Sequence, residues 1–264
     1  MKTNPVRAKL KSGEPSIGTW LALPDPVYAG LMSTTGFDWL TVELEHSPAT
    51  METAAQCFSI IAASGCVPLC RVPWNSVENI KRVLDTGAWG VVVPMVNSAA
   101  GAAAVVKAAR YRPLGERSVG GQLHAARFAT DAATYYAKAN DEILVVVMAE
   151  HVDAIENIDA ILSVPGIDAV FVGPNDLHAS MGLAPAFDSD NPQFNVAIKK
   201  VFASARSHGV AAGIHVADAA QARRRRDEGW KMIAVASEVG FMLSKAAEMV
   251  QSLGLDQRGA MAKY

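Results

Sequence analysis

The sequence alternates eight times between a short apolar run and a longer, helix-forming stretch. The apolar runs are rich in β-branched residues and predict eight strands, at residues 17–21, 39–43, 67–71, 90–94, 143–148, 169–172, 211–215 and 232–236. They are apolar nearly throughout, as expected for parallel strands covered on both faces. The alternation predicts the α/β class, as a closed (β/α)8 TIM barrel in one domain over residues 1–264.

A doubly wound open sheet is the alternative, but no G-x-G-x-x-G sequence follows the first strand. The predicted helices are residues 26–35, 51–63, 77–86, 99–111, 154–163, 195–207, 219–228 and 239–252. Two long segments, 112–140 and 175–192, are expected to follow the carboxyl ends of strands. Long loops in compact domains tend to be functional, so both are expected to shape a binding site.

The composition limits the classes of partner. Half of the residues are apolar and 19% are charged, which allows a substantial core, and the formal net charge is -2. The one basic run, 223–226, is followed directly by Asp227 and Glu228. That run predicts the solvent-exposed face of a helix, so nucleic acid is not an expected partner.

No apolar stretch is long enough to span a membrane, so a membrane is not an expected partner either. The three cysteines, Cys57, Cys66 and Cys70, include no C-x-x-C pair. Sparse cysteines of this kind are typical of small buried apolar groups in a reduced compartment. A cytoplasmic location is therefore expected.

Polar residues gather where the predicted strands end, which is where barrels of this class build their sites. After the second strand come Glu43, Glu45 and His46, with both carboxylates on the same strand face. Two neighbouring carboxylates repel each other, and burying them costs several kcal/mol unless a positive group lies between them. A metal cation, a buried arginine or a substrate is therefore predicted nearby.

Two further carboxylates, Glu150 and Asp176, follow the fifth and sixth strands. Consecutive strands are neighbours in a barrel, so the pair offers oxygen ligands for a hard divalent cation such as Mg²⁺ or Mn²⁺. The alternative is that each carboxylate only caps the helix that follows it.

Arg71 ends the third strand, where its guanidinium either pairs with Glu43 or neutralises a developing oxyanion. His46 is the residue best suited to act as a base, because the usual pKa of histidine lies near neutrality. We assign no role to the remaining histidines, although His215 at the end of the seventh strand has no evident partner. No lysine lies near a strand carboxyl end, which argues against Schiff-base chemistry.

Several motifs, in the right order and covering nearly the whole chain, together resemble the HpcH/HpaI family of class II pyruvate aldolases. They are Phe37-Asp38-Trp39-Leu40 through Glu45-His46, Arg71-Val72-Pro73, Leu84-Asp85-Thr86-Gly87-Ala88, Val93-Pro94-Met95-Val96, Tyr111 to Arg117, and Pro165-Gly166-Ile167-Asp168 through Gly173-Pro174-Asn175-Asp176-Leu177. The resemblance implies a barrel that binds Mg²⁺, Mn²⁺ or Co²⁺. It also implies a homo-oligomer, trimer or hexamer, whose C-terminal helix is exchanged between subunits.

The resemblance also implies a role for each matching residue. Glu150 and Asp176 would be the metal ligands, and pyruvate would chelate the metal with its carboxylate against Gly173, Asn175 and Asp176. His46 would be the base, acting through a metal-bound water, and Asp85 would raise its basicity. Arg71 would stabilise the enolate oxygen. Glu43 and Glu45 would hold metal-bound water and orient Arg71 rather than bind the metal themselves.

The function implied is metal-dependent, reversible cleavage of a 4-hydroxy-2-oxo acid to pyruvate and an aldehyde. Two alternatives stay open. One is an acyl-CoA lyase like the β subunit of citrate lyase, in which Arg112, Arg117 and Arg127 would be the candidates to bind the pyrophosphate. The other is a barrel that binds an oxo acid without turnover.

Overall fold

A computed structural model describes residues 1–255 as a closed parallel barrel in which each strand pairs with the next and β8 pairs with β1. The strands are β1 Ser16–Leu21, β2 Trp39–Glu43, β3 Val67–Arg71, β4 Gly90–Val93, β5 Leu144–Ala149, β6 Ala169–Val172, β7 Ala211–Val216 and β8 Met232–Ser237. Each bound lies within one residue of its prediction. The (β/α)8 fold is confirmed, and the open sheet is excluded.

Helices surround the barrel. They are α1 Pro5–Ser12, α2 Pro26–Met32, α3 Met51–Ser64, α4 Val77–Thr86, α5 Ala99–Ala109, α6 Leu123–Arg127, α7 Ala132–Glu142, α8 Val152–Glu156, α9 Ile158–Leu162, α10 Pro174–Ser180, α11 Pro192–His208, α12 Ala219–Glu228 and α13 Glu238–Ser252. The additions to the prediction are α1, α6, α7 and α10, and the helix predicted at 154–163 is divided into α8 and α9. None of the helices among residues 1–255 is long and apolar enough to cross a membrane.

The strand register brings the carboxyl ends of the strands together at one rim of the barrel. Glu43 is paired in register with Arg71, and Arg71 in turn with Val92. The barrel strands are buried almost throughout, and Trp39 and Phe171 are among the largest fully buried side chains. The polar strand ends are thus held on a rigid apolar frame.

At the opposite, amino rim, the carboxylate of Asp168 joins three elements. It accepts hydrogen bonds from Nε of Arg7 at 2.8 Å, from Nη2 of Arg110 at 2.7 Å and from the backbone N–H of Val145 at 2.8 Å. Arg110 is buried, and burial lowers its pKa while Asp168 opposes that effect. Helix α1 is fastened across this end by Arg7.

Two expectations about surface segments are wrong. Segment 112–140 follows helix α5 rather than a strand, so it lies at the amino rim, where Phe128 stacks on Trp89 just before β4. The basic run is not wholly exposed, because Arg225 is buried and pairs with Asp188 at 2.9 Å. The three cysteines are buried and free, as predicted.

Candidate active site at the carboxyl rim of the barrel

A cavity of about 290 Å³ opens at the carboxyl rim. Seven of the predicted site residues line it: Glu43, His46, Arg71, Glu150, Gly173, Asn175 and Asp176. They come from β2, β3, β5 and β6 or from the turns that follow these strands, so the barrel brings together residues far apart in sequence.

The positive partner predicted for the strand-two carboxylates is Arg71. Its Nε lies 2.5 Å from Oε2 of Glu43 and 3.2 Å from Oε2 of Glu45. Its guanidinium also lies over the ring of Trp20, 4.7 Å from the centroid. The predicted pairing of Arg71 with Glu43 is confirmed, and it fixes the guanidinium at the wall of the cavity.

His46 lies on the turn after β2, and Glu43 shapes that turn. Oε1 of Glu43 accepts hydrogen bonds from the backbone N–H groups of Glu45 at 2.6 Å and of His46 at 3.0 Å. The imidazole is 63% exposed, with Nε2 3.8 Å from Oε1 of Glu45. A reactant in the cavity therefore has access to the ring.

The structure does not bring Asp85 to His46 within one chain. Asp85 lies in the last turn of α4, just before β4, and therefore at the amino rim rather than at the site. Its Oδ1 accepts a hydrogen bond from Nη2 of the buried Arg117 at 2.7 Å. The two residues lie at opposite ends of the barrel, so Asp85 does not act on His46 within one chain, and its expected effect on the basicity of His46 stays a prediction for a contact between two copies.

Glu150 is a buried carboxylate with one oxygen unsatisfied. Its Oε1 accepts a hydrogen bond from the backbone N–H of Met95 at 2.8 Å, and Oε2 has no partner among the described residues. The pKa of Glu150 is raised to about 8, chiefly by burial; the Met95 N–H and Arg71 oppose this rise, and the nearby Asp176 and Glu45 charges add to it. A buried carboxylate in this state favours a positive ligand.

The residues present fit a divalent cation. Glu43 and Glu45 share the one guanidinium of Arg71, Glu150 and Asp176 line the same cavity, and burial also raises the pKa of Glu45. The space beside Oε2 of Glu150 exists because residue 173 is glycine, since a Cβ there would collide with that oxygen. Within residues 1–255 no group of three or more His, Cys, Asp or Glu side chains could hold a metal, so Glu150 and Asp176 would leave positions open for water or substrate.

Two non-glycine residues at the rim adopt the left-handed backbone region. Met95, with φ 53°, directs its N–H to Glu150, and Ala236, with φ 44°, directs its carbonyl to Nε2 of His215 at 3.0 Å. Backbone of this kind is strained and clusters at functional sites. Neither residue type signals such a conformation in the sequence.

Three aromatic residues without a predicted role also form part of the cavity wall. Trp20, Phe171 and His215 line it, and the Trp20 ring lies 5.9 Å from Phe171 and 5.6 Å from His215. Their positions at strand ends could be anticipated from the sequence. The contact of His215 with Phe187, at 4.8 Å, could not, because Phe187 comes from a distant loop.

Comparisons with known proteins agree with this geometry. The family model for HpcH/HpaI aldolase/citrate lyase matches residues 16–244. A relative from Escherichia coli, named 4-hydroxy-2-oxo-heptane-1,7-dioate aldolase, is 38% identical over 93% of this chain and 92% of its own length. A relative of the same name from Shigella flexneri is 36% identical over 98% of this chain and 97% of its own length.

Among solved structures, an HpcH/HpaI aldolase/citrate lyase family protein from Burkholderia cenocepacia has a TM-score of 0.88 and 32% identity. The match covers 95% of this chain and 99% of that one. Sequence and structure agree over almost the full length of the barrel, including all the strand ends that form the cavity. The chain belongs to the HpcH/HpaI aldolase/citrate lyase family.

Proposed function

We propose that this protein is a metal-dependent aldolase that reversibly cleaves a 4-hydroxy-2-oxo acid to pyruvate and an aldehyde. The observation that carries the proposal is the unpaired, buried oxygen of Glu150 beside Asp176, in a cavity that also holds Arg71 and His46. The names of the relatives from Escherichia coli and Shigella flexneri support the same reaction class.

Glu150 and Asp176 would hold the metal, for which Mg²⁺, Mn²⁺ and Co²⁺ are the candidates. When bound, such a cation supplies a Lewis acid that polarises the 2-oxo group of the substrate. The substrate carboxylate would lie against the backbone of Gly173, Asn175 and Asp176. The absence of a side chain at Gly173 supports this placement, since any Cβ would fill the space beside Glu150.

Cleavage requires the substrate C4 hydroxyl to lose its proton as the C3–C4 bond breaks. The bonding electrons pass into the 2-oxo group, giving the enolate of pyruvate and a free aldehyde. His46 would take the proton from the hydroxyl and return one to C3 of the enolate. Arg71, held by Glu43 and Glu45, would stabilise the negative enolate oxygen, a contact that strengthens as charge develops.

The geometry gives less support to an acyl-CoA lyase. Of the three arginines considered for a pyrophosphate, Arg117 is buried and bound to Asp85, and its guanidinium lies over Tyr111. Arg112 is exposed and Arg127 lies beside Gly87, but both belong to the segment at the amino rim, away from the cavity. An oxo-acid-binding barrel without turnover is also disfavoured, because an exposed imidazole and a fixed guanidinium face the same cavity.

A homo-oligomer, trimer or hexamer, in which α13 is exchanged between subunits is part of the proposal. Glu238 is the one buried residue of α13, and Met242, Met249 and Val250 are exposed. Such a face is typical of a subunit contact. Asp85 can meet His46 only across a contact between two copies. Light scattering would give the subunit number.

The cytoplasmic location stays a prediction.

The test follows both halves of the reaction in the purified protein loaded with Mn²⁺. We expect cleavage of 4-hydroxy-2-oxo acids, and exchange of pyruvate methyl protons into deuterated water, with EDTA abolishing both. Borohydride with pyruvate should leave the protein unlabelled. Covalent labelling would establish imine chemistry instead, and absence of both exchange and cleavage in the metal-loaded protein would favour a binding barrel.

A further inference from the structure

His215 forms part of the cavity wall on the β7 side, next to β6 and away from β2 and β3. It comes from β7, and its neighbours Ser237 and Trp20 come from β8 and β1. The proposed metal ligands follow β5 and β6, while His46 and Arg71 follow β2 and β3. A substrate whose pyruvate half is held by the catalytic groups therefore has space for its aldehyde half toward β7, β8 and β1.

The hydrogen bonds of His215 fix which ring nitrogen faces the substrate. Nε2 lies 3.0 Å from the carbonyl oxygen of Ala236, and a carbonyl can only accept, so Nε2 carries the proton. Among residues 1–255, Ala236 is the one hydrogen-bond partner of the ring, which leaves Nδ1 free on a side chain that lines the cavity. Burial and Arg71 lower the pKa of His215 to about 4, so the ring is neutral at physiological pH. Nδ1 therefore presents a lone pair that accepts a hydrogen bond.

Within one chain, the described residues of the same wall offer no cation for an acidic substrate tail. Among the described residues that line the cavity, Arg71 is the only lysine or arginine, and Glu43 and Glu45 already bind it. The ring of Trp20 also stands between Arg71 and His215, in contact with both. Within residues 1–255 of one chain, a carboxylate in this region would meet aromatic rings, a neutral lone pair and the single hydroxyl of Ser237, with no positive charge to offset its burial.

The loop after α10 holds the imidazole in this orientation. Phe187 packs edge-on against His215, with 4.8 Å between ring centroids. The next residue, Asp188, is bound by Arg224 and by Nη2 of the buried Arg225 on α12. His215 is thus fixed between Trp20 and Phe187, as a preorganised acceptor must be.

We propose that the aldehyde half of the substrate is uncharged and hydroxylated, and that one of its hydroxyl groups donates a hydrogen bond to Nδ1 of His215. This inference rests on the aldolase function proposed above. It assigns to this chain a hydroxyaldehyde rather than an aldehyde bearing a second carboxylate. The hydroxyl of Ser237 is a second polar group for such a tail, since its oxygen accepts from Gly240 N–H at 3.1 Å and its hydrogen remains available.

The experiment measures kcat/KM for condensation of pyruvate with matched aldehydes, using the Mn²⁺-loaded protein. Glycolaldehyde is paired with propanal, and glyceraldehyde with pentanal, because each pair has the same number of non-hydrogen atoms. Succinic semialdehyde provides the anionic tail. Of glycolaldehyde and glyceraldehyde, we expect the one with the higher kcat/KM to exceed the kcat/KM of its apolar match, and that of succinic semialdehyde, by at least about tenfold. The reason is that a site built to bind a hydroxyl rejects analogues that lack it.

Two variants assign the preference to His215. In His215→Leu, the ratio of kcat/KM for a hydroxylated aldehyde to kcat/KM for its apolar match should fall to near one. In His215→Gln, which keeps an acceptor oxygen, this ratio should lie between one and the wild-type value. His208→Leu, at the far end of α11, is the matched control and should keep the wild-type ratio. Any general loss of activity cancels in the ratio. If His215→Leu does not fold, the kcat/KM ratios of the wild type and of His215→Gln still test the inference.

Preference of the wild type for succinic semialdehyde or for the apolar aldehydes would overturn the inference. An unchanged ratio in His215→Leu would also overturn it. Either result is distinct from failure of the aldolase proposal, which would appear as absence of pyruvate proton exchange and of condensation with every aldehyde.

Discussion

Oε2 of Glu43 accepts a hydrogen bond from Nε of Arg71 at 2.5 Å, while the second oxygen of that carboxylate holds the backbone turn leading to His46. One buried side chain thus positions both the guanidinium and the proposed base. The turn and the strand end cannot move independently.

We expect Glu43→Gln to lower kcat more than it raises KM. The amide nitrogen of glutamine is a donor, so it would face either the guanidinium or the turn N–H groups, and one contact is lost. A decrease in kcat of about 10- to 100-fold corresponds to roughly 1.4–2.7 kcal/mol of transition-state stabilisation. Steady-state kinetics measures both constants. Glu43→Asp, which keeps both oxygens, should recover part of kcat, and a change confined to KM would contradict this role.

Metal binding should depend on Glu150 and Asp176 and not on His46. Glu150→Gln and Asp176→Asn each remove a negative oxygen ligand, so Mn²⁺ affinity measured by calorimetry should fall by more than about tenfold in each. His46→Ala should keep Mn²⁺ affinity while losing proton exchange into pyruvate. Loss of Mn²⁺ binding in His46→Ala would make the imidazole a metal ligand.

Gly173→Ala should weaken Mn²⁺ binding without unfolding the protein. The backbone of Gly173 is extended, with φ -94°, so alanine fits the local conformation, but its Cβ would collide with Oε2 of Glu150. We expect Mn²⁺ affinity to fall by about tenfold or more as Glu150 is displaced from its ligand position. Gly120→Ala is the control, since a Cβ there meets nothing within 4 Å. Equal Mn²⁺ affinities in the two variants would contradict the steric argument.

His215 should make the free energy of unfolding depend on pH. Its folded pKa of about 4 lies below the ordinary value of 6.5, so between these values the unfolded chain binds a proton that the folded protein does not. Stability is therefore lost as pH falls from 6.5 toward 4, by on the order of 2–3 kcal/mol from this group. Urea unfolding at pH 7 and pH 4.5 measures this dependence. Between these two pH values, the free energy of unfolding should decrease less in His215→Leu than in the wild type. Parallel decreases would count against a buried neutral imidazole.

Asp188→Ala should loosen the wall that holds Phe187. Removing this carboxylate frees the loop from Arg224 and Arg225, so hydrogen exchange across residues 182–191 should accelerate and KM for the aldehyde should rise by about three- to tenfold. Arg226→Ala is the control on the same helix, because Arg226 is paired with its neighbour Asp227 and does not contact the loop. An unchanged exchange pattern in Asp188→Ala would show that other contacts hold the loop.

Much of the fold and the site could be predicted because both depend on short-range patterns. Each barrel strand is a continuous apolar run, and each polar strand end stands out against it. The register that pairs Glu43 with Arg71 then follows from barrel closure. The sequence pattern does not indicate helix α1, because Val6 and Leu10 are its only buried apolar residues. Its third buried residue, Arg7, forms an ion pair with a carboxylate that is distant in sequence.

The errors have a common physical origin in tertiary contacts. Asp85 matched a motif, but its position on α4 places it at the amino rim beside Arg117. Arg225 resembles its charged neighbours in the sequence, but in the structure it is buried against Asp188, which comes from a distant loop. The role of His215 depends on a backbone carbonyl at a left-handed alanine, Ala236, which no sequence pattern indicates.

The carboxylate of Asp168 at the amino rim also has a consequence for biosynthesis. Arg7 leaves the ribosome early, but the residue it binds follows 161 positions later. Strand β1 gains its second neighbour only when β8 has been synthesised. A nascent chain therefore carries an unpaired Arg7 guanidinium until residue 168 has been synthesised and an open sheet edge until β8 has been synthesised, and such an edge is a site at which incomplete chains can pair with one another.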